Sequence, residues 1–552
     1  MLRVSAAVCL SLVVFGQACR EAENDTQDTS SADQSAPADL LADLTLDVAG
    51  PDGSGDTLED GQDWLAPDAD ANFPDAQPDM QDLESIDGVQ PPDTTDVTGD
   101  NGEETVTPAQ YDIPGFQAAV ADQNSEYIQG FLAWYSGPIC DQQQCLVLSS
   151  VPFFGDVAIR GCFNGWQDGT IMAPVPQQQG YYYHVFPASA FQGKCEYRLY
   201  YDETWNDDLS NPYIAFSDLS INNAIYKTGH SRLARVRAIY STALDNYRDV
   251  FVYLPADAFS NTNLKFPVMY MQDGFNVFAN PMAPFGSWDV DVSMDKLISD
   301  GDVPPMIIVG IDTSDRLNEY LYCTLSANIG GTGIIVDPKL DGYLNFVAEE
   351  LIPLIESRFP ALSGRESRGM GGSSLGGISS MYMAWKRPDL FGKVASFSGS
   401  YWIGLDEDSV KGDGGVSFLT VLSETPPQPS HTGLKIYLDS GSSGGSGSVY
   451  EADARVYTDW VRNALIRYGW ANRPEWDTDG DIFTPPADLA IDTQVSQVPT
   501  LYWSASTPAL FANADEYLRP DLSLLHLVGE GHMHNEEAWR LRFPAAMKFL
   551  WN

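Results

Sequence analysis

The sequence predicts a mixed α/β protein: a mostly parallel sheet with helices on both faces, preceded by a small all-β region and a long acidic segment with no core of its own. Three observations carry this reading. From about residue 229 short apolar runs alternate with amphipathic stretches, as parallel strands joined by helices require. Residues 111–228 instead show aromatic and β-branched runs separated by turn signals. Residues 21–110 hold 25 acidic side chains and no Lys or Arg. The 552 residues carry a formal charge of 30 − 77 = −47, and subtracting the acidic segment leaves 52 acidic and 28 basic residues in 111–552, or −24. That balance argues against a nucleic acid partner, which needs clustered Lys and Arg, and against adsorption to an anionic membrane surface.

Residues 1–19 have the pattern of an export signal. Arg3 supplies the positive start, residues 4–15 are a mostly apolar run, and Gly16-Gln17-Ala18 offers small residues at the cleavage position. With Cys19 directly after Ala18, the segment resembles a bacterial lipoprotein signal. That resemblance implies cleavage before Cys19, a lipid anchor on it, and residence at the outer membrane or cell surface. Ordinary export to the periplasm or medium is the alternative. A run of twelve residues is too short to span a bilayer, which takes roughly 20.

Residues 20–110 are rich in Asp, Pro, Ala, Gly, Thr and Gln and poor in aromatics, so they cannot bury enough apolar surface to offset chain entropy. They read as a disordered, self-repelling linker. Export makes disulfides available to the five cysteines beyond Cys19. Four cluster within 56 residues, and Cys140 with Cys145 and Cys162 with Cys195 is the favoured pairing among three connectivities. Cys323 is left over and reads as a buried apolar residue. No Cys and His spacing fits a zinc site.

In residues 111–228 the strand signals are residues 146–148, 157–161, 181–186 and 197–201, a pattern that fits a small β-sandwich. The run Val157-Ala158-Ile159-Arg160-Gly161-Cys162-Phe163-Asn164-Gly165-Trp166, with Met172, Glu196-Tyr197-Arg198-Leu199-Tyr200-Tyr201-Asp202 and Asn211-Pro212, resembles the glycogen-binding type of early-set sandwich. Similar sandwiches precede the hydrolase domain in enterochelin esterases. The resemblance implies a packing domain beside a catalytic cleft in preference to a sugar-binding one.

In residues 229–552 the strand signals are 251–254, 268–271, 306–311, 394–397, 436–438 and 524–528, with amphipathic helical stretches at 344–359 and 454–468. The chemistry centres on Gly372-Ser373-Ser374-Leu375-Gly376. Such a pattern arises by chance about 0.4 times in a chain of this length and glycine content, so context must decide. A second match, Gly441-Ser442-Ser443-Gly444-Gly445, lies in a Gly/Ser tract with no helix directly behind it and is set aside. The first lies between a strand-like run and the helix-like Ile378-Ser379-Ser380-Met381-Tyr382-Met383, the setting of a nucleophile elbow.

A serine hydroxyl needs a base. His534 follows the last strand signal, with His532 as its competitor. The run His534-Asn535-Glu536 with Trp539-Arg540 resembles the C-terminal motif of an esterase family that includes enterochelin, feruloyl and acetyl-xylan esterases. Arg248-Asp249-Val250-Phe251-Val252-Tyr253-Leu254-Pro255, Met269-Tyr270-Met271-Gln272-Asp273-Gly274, Arg316-Leu317-Asn318-Glu319-Tyr320 and Pro388-Asp389-Leu390-Phe391-Gly392 are similar to its other motifs.

The resemblance spans residues 235–552 and implies an α/β-hydrolase fold, Ser374 as nucleophile and His534 as base. It also implies oxyanion donors at the backbone amides of Leu375 and Phe275. The acid should lie between the strand at 436–439 and the helix near 454; Asp453 leads, followed by Glu451 and then Asp439. Alternating carboxylates at 477–481 suit calcium, but the EF-hand glycine and glutamate positions are Ile482 and Asp488, so they read as a solvated loop. The insertions at 403–433 and 470–520 are expected to build the cleft rim.

The functional expectation is an exported serine esterase with no cofactor. It acts on a small-molecule or carbohydrate ester, a siderophore or an acylated carbohydrate. The alternatives are a non-catalytic glycan- or siderophore-binding lipoprotein and an acyltransferase of the same fold.

Overall fold

A computed structural model describes residues 111–551 apart from 168–169, 260–263, 325, 330–331, 404–415, 443–452, 454, 471–499 and 505–521. The export signal, Cys19, the acidic segment, Glu451, the carboxylate loop at 477–481 and parts of both insertions therefore lie outside the described residues.

The front β region comprises β1 Ile139–Cys140, β2 Gln144–Ser150, β3 Ala158–Gly161, β4 Ala173–Pro174, β5 Tyr181–Pro187, β6 Lys194–Tyr201, β7 Thr204–Asn206, β8 Tyr213–Phe216 and β9 Ile221–Tyr226. The strands that follow are β10 Arg232–Ser241, β11 Asn246–Leu254, β12 Val268–Gln272, β13 Ile307–Ile311, β14 Ser326–Ile329, β15 Thr332–Ile335, β16 Arg368–Ser373, β17 Lys393–Phe397, β18 Lys435–Gly441, β19 Thr500–Ser504 and β20 Leu524–Glu530.

One sheet runs in the order β19-β20-β18-β17-β16-β12-β13-β11-β10-β8-β9-β6-β3, with β7 on β6. From β19 to β13 every neighbouring pair is parallel, and from β13 onward every pair is antiparallel. Side chains alternate between the two faces, as the two-residue period of a strand demands. Val268, Tyr270, Ile307 and Val309 join the core under the helices at 340–358 and Leu375–Lys386. Met269, Met271, Ile308 and Phe397 join the core under the C-terminal helix Glu536–Trp551. All six apolar runs read as strands are strands, and both amphipathic stretches are helical.

The β region is continuous with this sheet, because β8 pairs antiparallel with β10 through Ile214 with Leu233 and Tyr213 with Ala234. A second sheet, β1-β2-β5-β4, faces it across a core of Val147, Ile159, Phe186, Tyr197, Leu199 and Ile225. The disulfides are Cys140–Cys145, across the β1–β2 pair, and Cys162–Cys195, so the favoured connectivity is the one present. Cys323 is buried in the large core, where burial pushes its thiol up to about 11, away from any role as a thiolate.

One local expectation needs correction. The stretch read as all-β opens with two helices, Ile113–Ala121 and Ser125–Trp134. Their aromatic content mimics strand composition, but Asp112 and Asn124 cap them, each accepting from a backbone amide three residues on, at 2.7 and 3.1 Å. Ile113, Phe116, Ile128 and Phe131, at helical spacing, then cover Leu146 and Leu148 on the outer face of β2.

Two of the family-like motifs meet as a buried ion pair. Arg248 on β11 donates from both terminal nitrogens to Glu319 at 2.9 Å, and neither side chain is more than 1% exposed. Asn246, Thr313 and Ser314 satisfy the remaining Glu319 lone pairs. Removing one partner of a buried pair strands the other charge. Arg248→Ala should therefore lower the unfolding free energy by about 3–5 kcal/mol, measured by urea denaturation.

Candidate active site

In a parallel sheet all carboxyl ends reach the same edge, and the strand-to-helix turns there can converge. Ser374 stands between β16 and the helix Leu375–Lys386 with φ 57° and ψ −122°, a conformation a non-glycine residue adopts only under tertiary constraint. The constraint is visible. The Ser374 amide donates to the Phe397 carbonyl at 2.9 Å, and the Ser374 carbonyl accepts from Gly377, Ile378 and Ser400 at 3.0–3.2 Å. A β-carbon at Gly376 would lie 2.9 Å from that of Gln272, and one at Gly372 would lie 2.8 Å from it, so both glycines are demanded by close approach. Leu375 is the first residue of its helix, and its amide is among those a helix leaves without an internal acceptor.

Across the elbow lies the turn Gly274–Val277, entered through Asp273 at φ 57°. Arg316 grips the Asp273 carboxylate with two hydrogen bonds of 2.7 and 3.0 Å, while the Asp273 amide donates to Tyr320 Oη at 3.0 Å. Phe275 sits in this fixed turn. Its carbonyl accepts from Asn280, and its ring packs edge-on against Phe216 of β8, with centroids 6.1 Å apart. The elbow touches the turn, because a β-carbon at Gly376 would also come within 3.2 Å of Asp273 Oδ2.

His534 Nδ1 bonds Asp453 Oδ1 at 2.5 Å, and its ring meets Trp539 edge-on with centroids 5.1 Å apart. A carboxylate accepts, so Nδ1 carries the proton and Nε2 is left as the basic nitrogen. The Asp453 side chain is wholly buried. Burial alone would raise its carboxyl, but the His534 imidazole, the Arg542 guanidinium and the Ser398 hydroxyl outweigh that and hold it below the usual carboxylate range.

The other candidates stand elsewhere. Asp439 is paired with Arg542, both side chains fully buried, and its oxygens also take the Tyr437 hydroxyl and the Ser398 amide. His532 lies 3.3 Å from Arg542, and burial followed by that guanidinium pushes it down to about 4, which suits a neutral structural imidazole. Glu451 is outside the described residues. Ser374 Oγ lies within hydrogen-bond distance of Ser400 Oγ, at 3.2 Å.

Three contributors escaped the sequence reading: Ser398, Ser400 and Arg542. Phe397-Ser398-Gly399-Ser400 directly follows a strand signal at the edge that holds the elbow, and that position is the signal that could have found the two serines. Arg542 lies 103 residues from Asp439 and has no local signature.

Glu536, at the start of the C-terminal helix, is buried and accepts from Asn276 of the Phe275 turn at 3.3 Å. Burial pushes its carboxyl up to about 7, Asp273 adds to the shift, and its own amide, His534 and Arg316 oppose it.

Residues 241–472 match the family model "Putative esterase". Over 157 residues the chain is 34% identical to the uncharacterized protein YbbA of Bacillus subtilis, covering 27% of this chain and 56% of that one. Over 316 residues it is 22% identical to an endo-1,4-beta-xylanase/feruloyl esterase of Xylanibacter ruminicola, covering 56% and 40%. The chain spans 34–58% of the length of the curated relatives it matches. Among solved structures, the enterobactin esterase of Shigella flexneri superposes with a TM-score of 0.34 at 16% identity, covering 77% of this chain and 98% of that one.

Glu536 generates a sign-definite expectation. A carboxyl whose folded pKa lies above its unfolded value contributes stability that is full below the unfolded pKa and is lost as pH rises through the folded one. Glu536→Gln keeps an acceptor for Asn276 and removes the titration. Between pH 4 and pH 8 the variant should gain up to about 3 kcal/mol of unfolding free energy relative to the parent, followed by urea melts across that range.

Proposed function

We propose that this chain, whose residues 241–472 match the "Putative esterase" family model, is an exported serine ester hydrolase. The observation that carries the reading is the strained Ser374 at the carboxyl end of β16, on the same sheet edge as the Asp453–His534 pair. Ser374 Oγ attacks the ester carbonyl while His534 Nε2 takes its proton, and Asp453 holds the imidazole and stabilises the imidazolium. The Leu375 and Phe275 amides receive the tetrahedral oxyanion, each such donor stabilising the transition state by about 2.7–4 kcal/mol. His534 returns the proton to the departing alcohol, and water releases the acyl group by the same route.

The substrate we favour is an acylated carbohydrate, with a siderophore ester as the second class; the xylanase/feruloyl esterase relative supports the first. The front β region, as an early-set type of sandwich, serves as a packing domain, supported by the contact of Phe216 with Phe275. Export and a lipid on Cys19 are supported by the signal-like pattern and the two disulfides.

A fluorophosphonate should label Ser374 in the parent protein. Ser374→Ala should lose the label and reduce kcat by on the order of 10⁶-fold toward whichever of aryl, feruloyl, acetyl-sugar and catecholate esters the parent cleaves. Absence of labelling in the folded parent would favour a binding protein, and release accelerated by an added sugar would favour an acyltransferase. In a bacterial host, Cys19→Ser should abolish incorporation of a labelled fatty acid and move the protein from the membrane to the soluble fraction.

A further inference from the structure

Ser398 is the first residue after β17 and stands at φ 44°, in the left-handed region that non-glycine residues occupy only where their surroundings hold them. Its amide is held by Asp439, donating to both the backbone oxygen and Oδ1 at 3.1 and 2.9 Å. Three groups converge on its hydroxyl: Asp453 Oδ2 at 2.5 Å, Trp539 Nε1 at 3.0 Å and Arg542 Nη2 at 2.8 Å.

The chemistry of these neighbours fixes the proton. An indole N–H and a guanidinium can only donate, so they fill the two lone pairs of Ser398 Oγ. The single hydroxyl hydrogen is left for Asp453. With the Gly441 amide also donating to Oδ2, that oxygen is fully engaged, and Oδ1 is the one turned to His534. Two residues on, Ser400 binds Ser374 through its amide and lies 3.2 Å from the nucleophile oxygen. The turn 398–400 thus touches the acid at one end and the nucleophile at the other.

Resting on the serine hydrolase reading above, we propose that Ser398 is a positioning residue: its hydroxyl, oriented by Trp539 and Arg542, locks the Asp453 carboxylate in the rotamer that holds His534. The hydrolytic steps proposed above make no use of this serine. Among the described residues, the charged and titratable groups around it include Asp453, Asp439, Arg542, His532 and His534.

The test compares the parent, Ser398→Ala and Trp539→Phe, the last removing the indole donor while leaving an aromatic ring against His534. Fluorophosphonate labelling rates, kcat and KM on the best ester, the acid limb of the kcat/KM profile, and the melting temperature are measured for each. The expected result is a 10- to 100-fold fall in kcat and labelling rate for Ser398→Ala, with KM within about twofold. A loosened Asp453 stabilises the imidazolium less, so the acid limb should move to lower pH. Trp539→Phe should show the same changes at smaller size.

A lowered melting temperature with unchanged kcat and acid limb would mean a purely structural serine and would overturn the proposal. So would an acid limb that moves up with kcat preserved. If Ser398→Ala does not fold, Trp539→Phe decides alone: parental kcat and acid limb overturn the proposal, and the shifted limb supports it. A folded parent that takes no label would overturn the hydrolase reading itself, which separates that failure from a parent and Ser398→Ala labelled equally fast.

Discussion

The arrangement depends on one buried carboxylate. Asp453 is removed from water, and an isolated charge in such a place is costly unless donors surround it. Here three donors and one cation arrive from four directions: the Gly441 amide at the end of β18, the Ser398 hydroxyl after β17, His534 from the segment after β20, and the Arg542 charge 3.9 Å away on the C-terminal helix. Gly441, Ser398 and the His534–Arg542 stretch are far apart in sequence, so the carboxylate is satisfied only when three parallel strands and the last helix have docked. The imidazole is then oriented as a by-product of correct folding.

The same logic governs the elbow. Ser374 holds an unfavourable backbone conformation because its amide and carbonyl are tied to the loop after β17, and because Gly372 and Gly376 let the turn press against Gln272. Opposite it, the Asp273–Arg316 clamp and Tyr320 fix the turn that carries Phe275, and Phe216 from the front β region backs the Phe275 ring. Ser374, His534 and the Phe275 turn are thereby held by separate, mutually braced elements, the preorganisation that the proposed electrostatic catalysis would rely on.

Much of the fold was legible because parallel strands buried on both faces read as short continuous apolar runs, and 268–272 and 307–311 are buried at every position. The two front helices were not, since Phe116, Phe131 and Trp134 look like strand residues unless the caps at Asp112 and Asn124 are weighed first. At the site, Ser374 announces itself through flanking glycines whose necessity is steric. Asp453, Glu451 and Asp439 could not be separated from sequence, because 441–448, which separates the strand from the two later carboxylates, is an insertion of small residues with no periodicity. Arg542 was invisible for a different reason: it reaches Ser398 across 144 residues and has no local signature.

The joint between β8 and β10 bears on how such a protein could have been assembled. A tail fused through a loose connector can be exchanged by recombination without disturbing its neighbour. Here the two halves share a hydrogen-bonded ladder, and excising the front half would bare the backbone of β10, an invitation for any passing strand to dock there. Any rearrangement that removes the front half must therefore supply another cover for that edge.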